Sequence, residues 1–161
     1  MADDDLSRLD EWLGSIIAGL DPGERQRAAV RLGQMLRRAN LARIAANVEP
    51  SGDPMERRRP RFDRKNKVRA VSGRKMFRGL RAMRNWKVDA DADGVEIAPI
   101  NGVVARIAEI NHFGEQVTIG RLRDGRRIRH RYRERRLLGF GPEDEALILD
   151  LAADLIEKTK R

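Results

Sequence analysis

Apolar residues at Leu6, Leu9, Trp12, Leu13, Ile16, Ile17 and Leu20 recur at steps of three and four, the stripe of an amphipathic helix. Asp21-Pro22-Gly23-Glu24 follows. It supplies a capping aspartate, a proline at the first helical position and a glutamate three residues after the cap, so a second helix opens at Pro22. Ala29, Leu32, Gly33, Leu36, Ala39 or Asn40, Arg43 or Ile44 and Val48 carry the period to about Asn47. The two helices form a hairpin over residues 1–48.

The period is lost from Glu49 to Val71. Pro50-Ser51-Gly52-Asp53-Pro54 is a turn cluster, and Glu56-Arg57-Arg58-Arg59-Pro60-Arg61 and Arg64-Lys65-Asn66-Lys67 have almost no apolar content, which predicts an extended basic loop over 49–71. Ser72 can cap a short helix that turns Met76, Phe77, Leu80 and Met83 inward, with Trp86 closing it into the core. From Trp86 the period is two, and Trp86, Val88, Val95 and Ile97 around Asp93-Gly94 suggest a hairpin. Val103 to Phe113 stays open between helix and strand: its spacing is helical, its β-branched content and flanking glycines are not. Gln116–Ile119 and Arg127–Tyr132 flank Asp124-Gly125 as a second, strongly basic hairpin. The last helix opens at Pro142, with Glu143-Asp144-Glu145 where the helix dipole favours anions and Lys158-Thr159-Lys160-Arg161 where it favours cations. The expected architecture is α+β, helices at both ends around a small antiparallel sheet, with residues 72–161 as its core.

Composition changes the picture in three ways. A chain of 161 residues supports one modest core plus exposed appendages, and its net charge of +9 is concentrated in the central and C-terminal thirds, which favours contact with a polyanion or an acidic partner protein. There is no cysteine, so disulfides, thiolate nucleophiles and Cys-ligated metal sites are excluded. No apolar run approaches the ~20 residues that span a bilayer, and Asp3-Asp4-Asp5 stands where a secretory signal would carry positive charge, so a soluble intracellular product with no membrane contact is expected.

Candidate chemistry is sparse. His112 and His130 are the only histidines, in contexts that do not match a helical metal pair. Asp89, Asp91 and Asp93 alternate like the start of a calcium loop, but the twelfth position from Asp89 is Ile100 where the bidentate glutamate belongs. Gly139-Phe140-Gly141 lacks the lysine and hydroxyl of a phosphate loop, and Ser7, Ser15, Ser51 and Ser72 lack a nucleophile elbow. No catalytic, metal or cofactor-binding residue is expected.

What remains is binding. Arg57, Arg58, Arg59 and Arg61 with Phe62, the hairpin cations Arg126, Arg127 and Arg129, and the apolar Leu138 and Phe140 are the candidate interface residues, with Met55 a further apolar contact. Trp12, Phe62, Phe77, Trp86, Phe113, Tyr132 and Phe140 are the only aromatics, too few beside the charge for a base-stacking surface. The residues alone leave DNA and protein both open as the anion. The junction Arg135-Arg136-Leu137-Leu138-Gly139-Phe140-Gly141-Pro142 reads as a tightly packed turn between a basic strand and the last helix.

Several stretches, in order and covering nearly the whole chain, carry a resemblance. They are Arg37–Asn47, Pro50–Met55, Arg57-Arg58-Arg59-Pro60, Lys75–Arg81, Ala105–Gly114 with its His112-Phe113-Gly114, and Arg135–Asp144 with its Arg-Leu-Leu-Gly-Phe. In these the chain resembles the phage virion morphogenesis family, which includes the tail completion protein of P2-like phages and related Mu-like proteins. The resemblance implies an α+β subunit that closes into a ring, typically six-fold, at the head-proximal end of a phage tail. It implies a virion protein whose partners are copies of itself, the tail tube or sheath protein and the head-tail connector, with weak transient contact to genomic DNA. His112, Phe113 and Gly114 would end a core element beside the sheet, and Leu137 and Gly139 would dock the last helix. The alternatives are a small basic nucleic-acid-binding protein acting in packaging or regulation, and a head-completion adaptor.

Overall fold

The computed structural model describes residues 14–15, 18–57, 61–62, 68–69, 76–91 and 94–159. Gly14, Ser15 and Ala18 are helical, and the rest of the stripe from Leu6 to Ile17 lies outside the described residues, as do the Ser72 cap and Asp93. Helix α1 spans Pro22–Ala46. Its start is a reciprocal capping box: the Glu24 N–H donates to Asp21 Oδ1 at 2.9 Å and the Asp21 N–H to Glu24 Oε2 at 3.1 Å. Its end is a Schellman closure, with Asn47 in the left-handed region at φ 59°, Val48 N–H donating to the Arg43 carbonyl at 3.0 Å and Asn47 N–H to that of Ile44 at 3.3 Å.

After α1 come β1 (Arg61–Phe62), β2 (Val68–Arg69), a 3-10 turn at Met83–Asn85, β3 (Trp86–Ala90), β4 (Val95–Pro99), α2 (Gly102–His112), β5 (Gln116–Arg121), β6 (Arg127–Arg131) and α3 (Pro142–Thr159). The fold is α+β. Where the sequence predicts one small sheet, the described strands pair only in twos, β1 with β2, β3 with β4 and β5 with β6. Stacking a further layer on the arginine-lined β5 and β6 would strip charged groups of water.

Two compact units are built from these elements. The first comprises Met1–Ala39, Lys87–Ala98 and Gly141–Arg161. In it Gly33 of α1 lets the helix backbone approach the β3–β4 hairpin so closely that a Cβ there would overlap Val88 and Val95. Leu20, Leu36, Leu151 and Ala152 are buried in it. The α3 start is held by Asp144, fully buried, whose carboxylate accepts the Gly141 N–H at 2.8 Å, the N3 half of a capping box.

The second unit comprises Asn40–Trp86 and Pro99–Phe140, with Leu41, Ile44, Met55, Phe77, Leu80, Trp86, Ala108 and Leu137 buried. Met55, expected as an outward contact, is core: Val48 bridges Pro54 and the Met55 N–H donates to the Asn47 carbonyl at 2.8 Å, turning its side chain inward. Residues 76–81 form turns and not the expected helix, because Phe77 sits at φ 57°, a conformation no right-handed helix contains. Trp86 closes this unit as expected, buried with its indole N–H donating to the Leu80 carbonyl at 2.6 Å. Val103–Phe113, open by sequence, forms helix α2 up to His112, with Asn101 capping its start, its Oδ1 accepting the Val104 N–H at 3.0 Å, and Phe113 closing its end.

Candidate functional site

The end of α2 builds the first surface, within the second unit. Gly114 sits at φ 64°, and the Glu115 N–H reaches back to the Ile110 carbonyl at 3.1 Å, so the helix stops in a glycine-dependent closure. A Cβ on Gly114 would stand 2.7 Å from the Glu134 backbone nitrogen and 3.1 Å from the Tyr132 carbonyl oxygen. This close approach brings residues 132–140 alongside the helix end. Asn111, buried, donates to the Ile107 carbonyl at 2.8 Å, and its own carbonyl accepts the Arg135 N–H at 2.8 Å.

His112 Nδ1 accepts the Leu137 N–H at 3.2 Å, which requires that nitrogen to be unprotonated. Burial lowers its pKa from the ordinary 6.5, opposed by the carboxylate of Glu134, helped by the charge of Arg136 and opposed again by Glu49. The bond therefore belongs to the neutral imidazole, the form the environment favours. Phe113 stands edge-on to the His112 ring at 4.6 Å between centroids.

Leu137 is almost wholly buried, Leu138 half-buried and Phe140 71% exposed. Gly139 is pinned from both sides: its N–H donates to the buried Asn40 Oδ1 at 3.0 Å, and its carbonyl accepts Arg43 Nη2 at 3.1 Å. A Cβ there would meet Pro50 at 2.9 Å. An open groove of about 560 Å³ results, with Phe113, 66% exposed, and Phe140 at its mouth and Pro50, His112, Leu138 and Gly139 among its walls. The structure thus gathers His112, Phe113, Gly114, Leu137, Leu138, Gly139 and Phe140, named from two separate sequence stretches, into one place.

Arg135 is the residue that sequence reasoning missed. It is buried, and its guanidinium donates to three backbone carbonyls, Nε to Glu56 at 2.7 Å, Nη1 to Arg133 at 3.2 Å and Nη2 to Arg57 at 3.5 Å. The start of the basic segment is thereby tied to residues 133–135 beside the groove. One arginine among many carries no sequence signal of burial. Of the predicted interface cations in that segment, Arg57 is exposed, Arg61 and Phe62 contribute backbone to β1 opposite Arg69 and Val68, and Arg58 and Arg59 lie outside the described residues.

The β5–β6 ribbon is the second surface. Every residue from Arg121 to Arg131 is exposed. Leu122–Arg126 forms its turn, with Gly125 at φ 84°. Arg126 belongs to that turn: its N–H and Nε both donate to Asp124, at 3.0 and 2.6 Å, and these bonds hold the Asp124 carboxyl below its usual range. Its charge is neutralised locally. Arg127 and Arg129 are not so paired, and the register sets Arg121 opposite Arg127, Thr118 opposite Arg129 and Gln116 opposite Arg131. Among the described residues, no three or more histidine and acidic side chains group so as to hold a metal ion, and no helix is long and apolar enough to cross a membrane.

A family model for the phage virion morphogenesis family matches residues 4–157. No curated protein and no solved structure matches the chain.

Proposed function

The chain belongs to the phage virion morphogenesis family, and from that premise we propose that it is a tail completion or tail terminator subunit, closing into a ring, typically of six copies, at the head-proximal end of the tail and taking part in head-tail joining. The family itself points to a structural role in assembling the virion, and not to an enzyme. The finer reading is supported above all by the groove. Phe113 and Phe140 stand largely exposed on backbone held in place by the close approach at Gly114 and Gly139 and by hydrogen bonds with Asn40 and Arg135. Covering the exposed parts of two phenylalanines removes on the order of 200–300 Å² of apolar surface, a gross gain of about 5–7 kcal/mol at ~25 cal/mol/Å². That gain is unused in a lone subunit and offsets much of the cost of association in a ring. Large exposed apolar side chains beside rigid backbone are the usual mark of an anchor site.

The partners in this reading are further copies of the chain, the tail tube or sheath protein, and the head-tail connector. Light scattering with negative-stain imaging of the nuclease-treated protein at high salt tests it. Discrete rings are expected, and a Phe113→Ser, Phe140→Ser double variant should remain folded by circular dichroism yet lose them. A wild-type protein that stays monomeric at every concentration and is absent from the neck in cryo-EM maps of the particle would remove the proposal.

A further inference from the structure

We propose that one face of the β5–β6 ribbon is a binding surface for the phosphate backbone of duplex nucleic acid. Directly paired residues share a face, so Arg121, Arg127, Arg129 and Arg131 lie together with Thr118 and Gln116, while Ile128, His130, Val117 and Gly120 occupy the other side. All four arginines are exposed, and none makes an ion pair among the described residues. Nearby carboxylates are engaged elsewhere, Asp124 by Arg126, Glu134 by Arg136 and Glu115 by Arg106.

Placing Arg121 directly opposite Arg127 costs stability, and neither arginine has an ion-pair partner among the described residues to offset it. A local rule broken without internal compensation marks a surface shaped for something outside. A polyanion fits the chemistry: the arginines on β6 span roughly 14 Å at ~3.4 Å per residue, against a duplex carrying one charge per ~1.7 Å. A two-stranded ribbon also fits the ~12 Å major groove. The cationic face carries no aromatic side chain, since His130 and Tyr132 pack edge-on to each other at 4.8 Å and His130 belongs to the opposite face. Base stacking is thereby excluded from this face, leaving contacts that position without reading sequence.

The inference does not depend on ring formation, and its test reads a different quantity. Fluorescence anisotropy with two unrelated duplexes is followed from low to moderate salt for the full chain, for Arg127→Gln with Arg129→Gln, for Arg127→Lys with Arg129→Lys, and for Arg27→Gln with Arg31→Gln. Each phosphate contact contributes about −0.9 to the slope of log K against log[salt], so four contacts weaken binding by about 150-fold between ~50 and ~200 mM. Losing two should leave the slope shallower by about 1.8, equally on both duplexes. The lysine pair should keep the wild-type slope, because charge is what counts, and so should the pair on α1, which removes the same net charge elsewhere. An unchanged slope in the ribbon glutamine variant, an equal change in the α1 variant, or tighter retention of polyglutamate than of duplex would overturn the proposal, the last by assigning the face to an acidic protein.

Discussion

Replacing Gly114 by alanine should destabilise the protein far more than the same change at Gly125, although both residues sit at positive φ. At Gly114, φ is 64° and the new Cβ would lie 2.7 Å from the Glu134 nitrogen, 3.1 Å from Glu134 Cα and 3.1 Å from the Tyr132 oxygen. At Gly125, φ is 84° and nothing lies within 4 Å of that position. Both alanines bear the left-handed penalty of about 1–2 kcal/mol, and both gain the same small amount by stiffening the unfolded chain. Only Gly114 adds an overlap with backbone, which cannot rotate away as a side chain would, and an overpacked site costs a further 1–3 kcal/mol or so. The relief available is to push residues 132–134 outward, stretching the Tyr132 N–H to Glu115 carbonyl bond of 3.0 Å. Net of that gain, the total is about 2–4 kcal/mol at Gly114 against about 1 at Gly125. For a chain of this size each kcal/mol moves the melting midpoint by about 2–4 °C, so the gap between the two variants should be several degrees. Thermal melts by circular dichroism measure both. Equal shifts would show that residues 132–134 do not approach the end of α2 this closely, and the groove would lose the support of that contact.

The pH dependence should carry a His112 component: because burial lowers its folded pKa, the unfolded chain takes up the proton first, so stability is full above the ordinary 6.5 and declines as pH falls below it, levelling once the folded imidazole also protonates. In His112→Asn, whose Oδ1 can replace Nδ1 as acceptor for Leu137, denaturant midpoints between mildly acid and neutral pH should converge; an unaltered pH profile would rule out this role. Arg135→Met should cost about 2–4 kcal/mol by leaving the Glu56, Arg57 and Arg133 carbonyls without their donor, and Arg135→Lys should recover little because one ammonium cannot match the guanidinium fork. Urea midpoints decide, and full rescue by lysine would mean that charge alone is at stake. Gly139→Val should lower the melting midpoint by a few degrees through contact with Pro50, 2.9 Å from the nearest atom of the new side chain, whereas an unchanged midpoint and normal ring yield would remove the packing role.

Much of the local structure was legible in the residues themselves. Asp21-Pro22-Gly23-Glu24 starts α1 as read, Pro142 starts α3, and both hairpins form, the second around Gly125 at φ 84°. Such signals act within a few residues, through a cap, a fixed φ or a hydrogen bond that the neighbours supply, so they survive whatever the rest of the chain does. Leu137–Phe140 was legible as an apolar junction, whereas Val103–Phe113 stayed open between helix and strand until the structure showed α2 ending at His112. Tertiary structure alone decided the rest. Phe77 sits in the left-handed region where its apolar spacing predicts a helix, Met55 turned inward, and Arg135, indistinguishable in sequence from the arginines around it, became a buried tie between distant backbone segments. Which arginines of the ribbon share a face, and that Arg126 is tied up by Asp124 while Arg127 and Arg129 are not, depend on a strand register that shifts between Thr118 and Gly120. The reason is common to all of them: burial, register and close approach are properties of pairs far apart in the chain, and a residue's type limits those pairings without choosing among them.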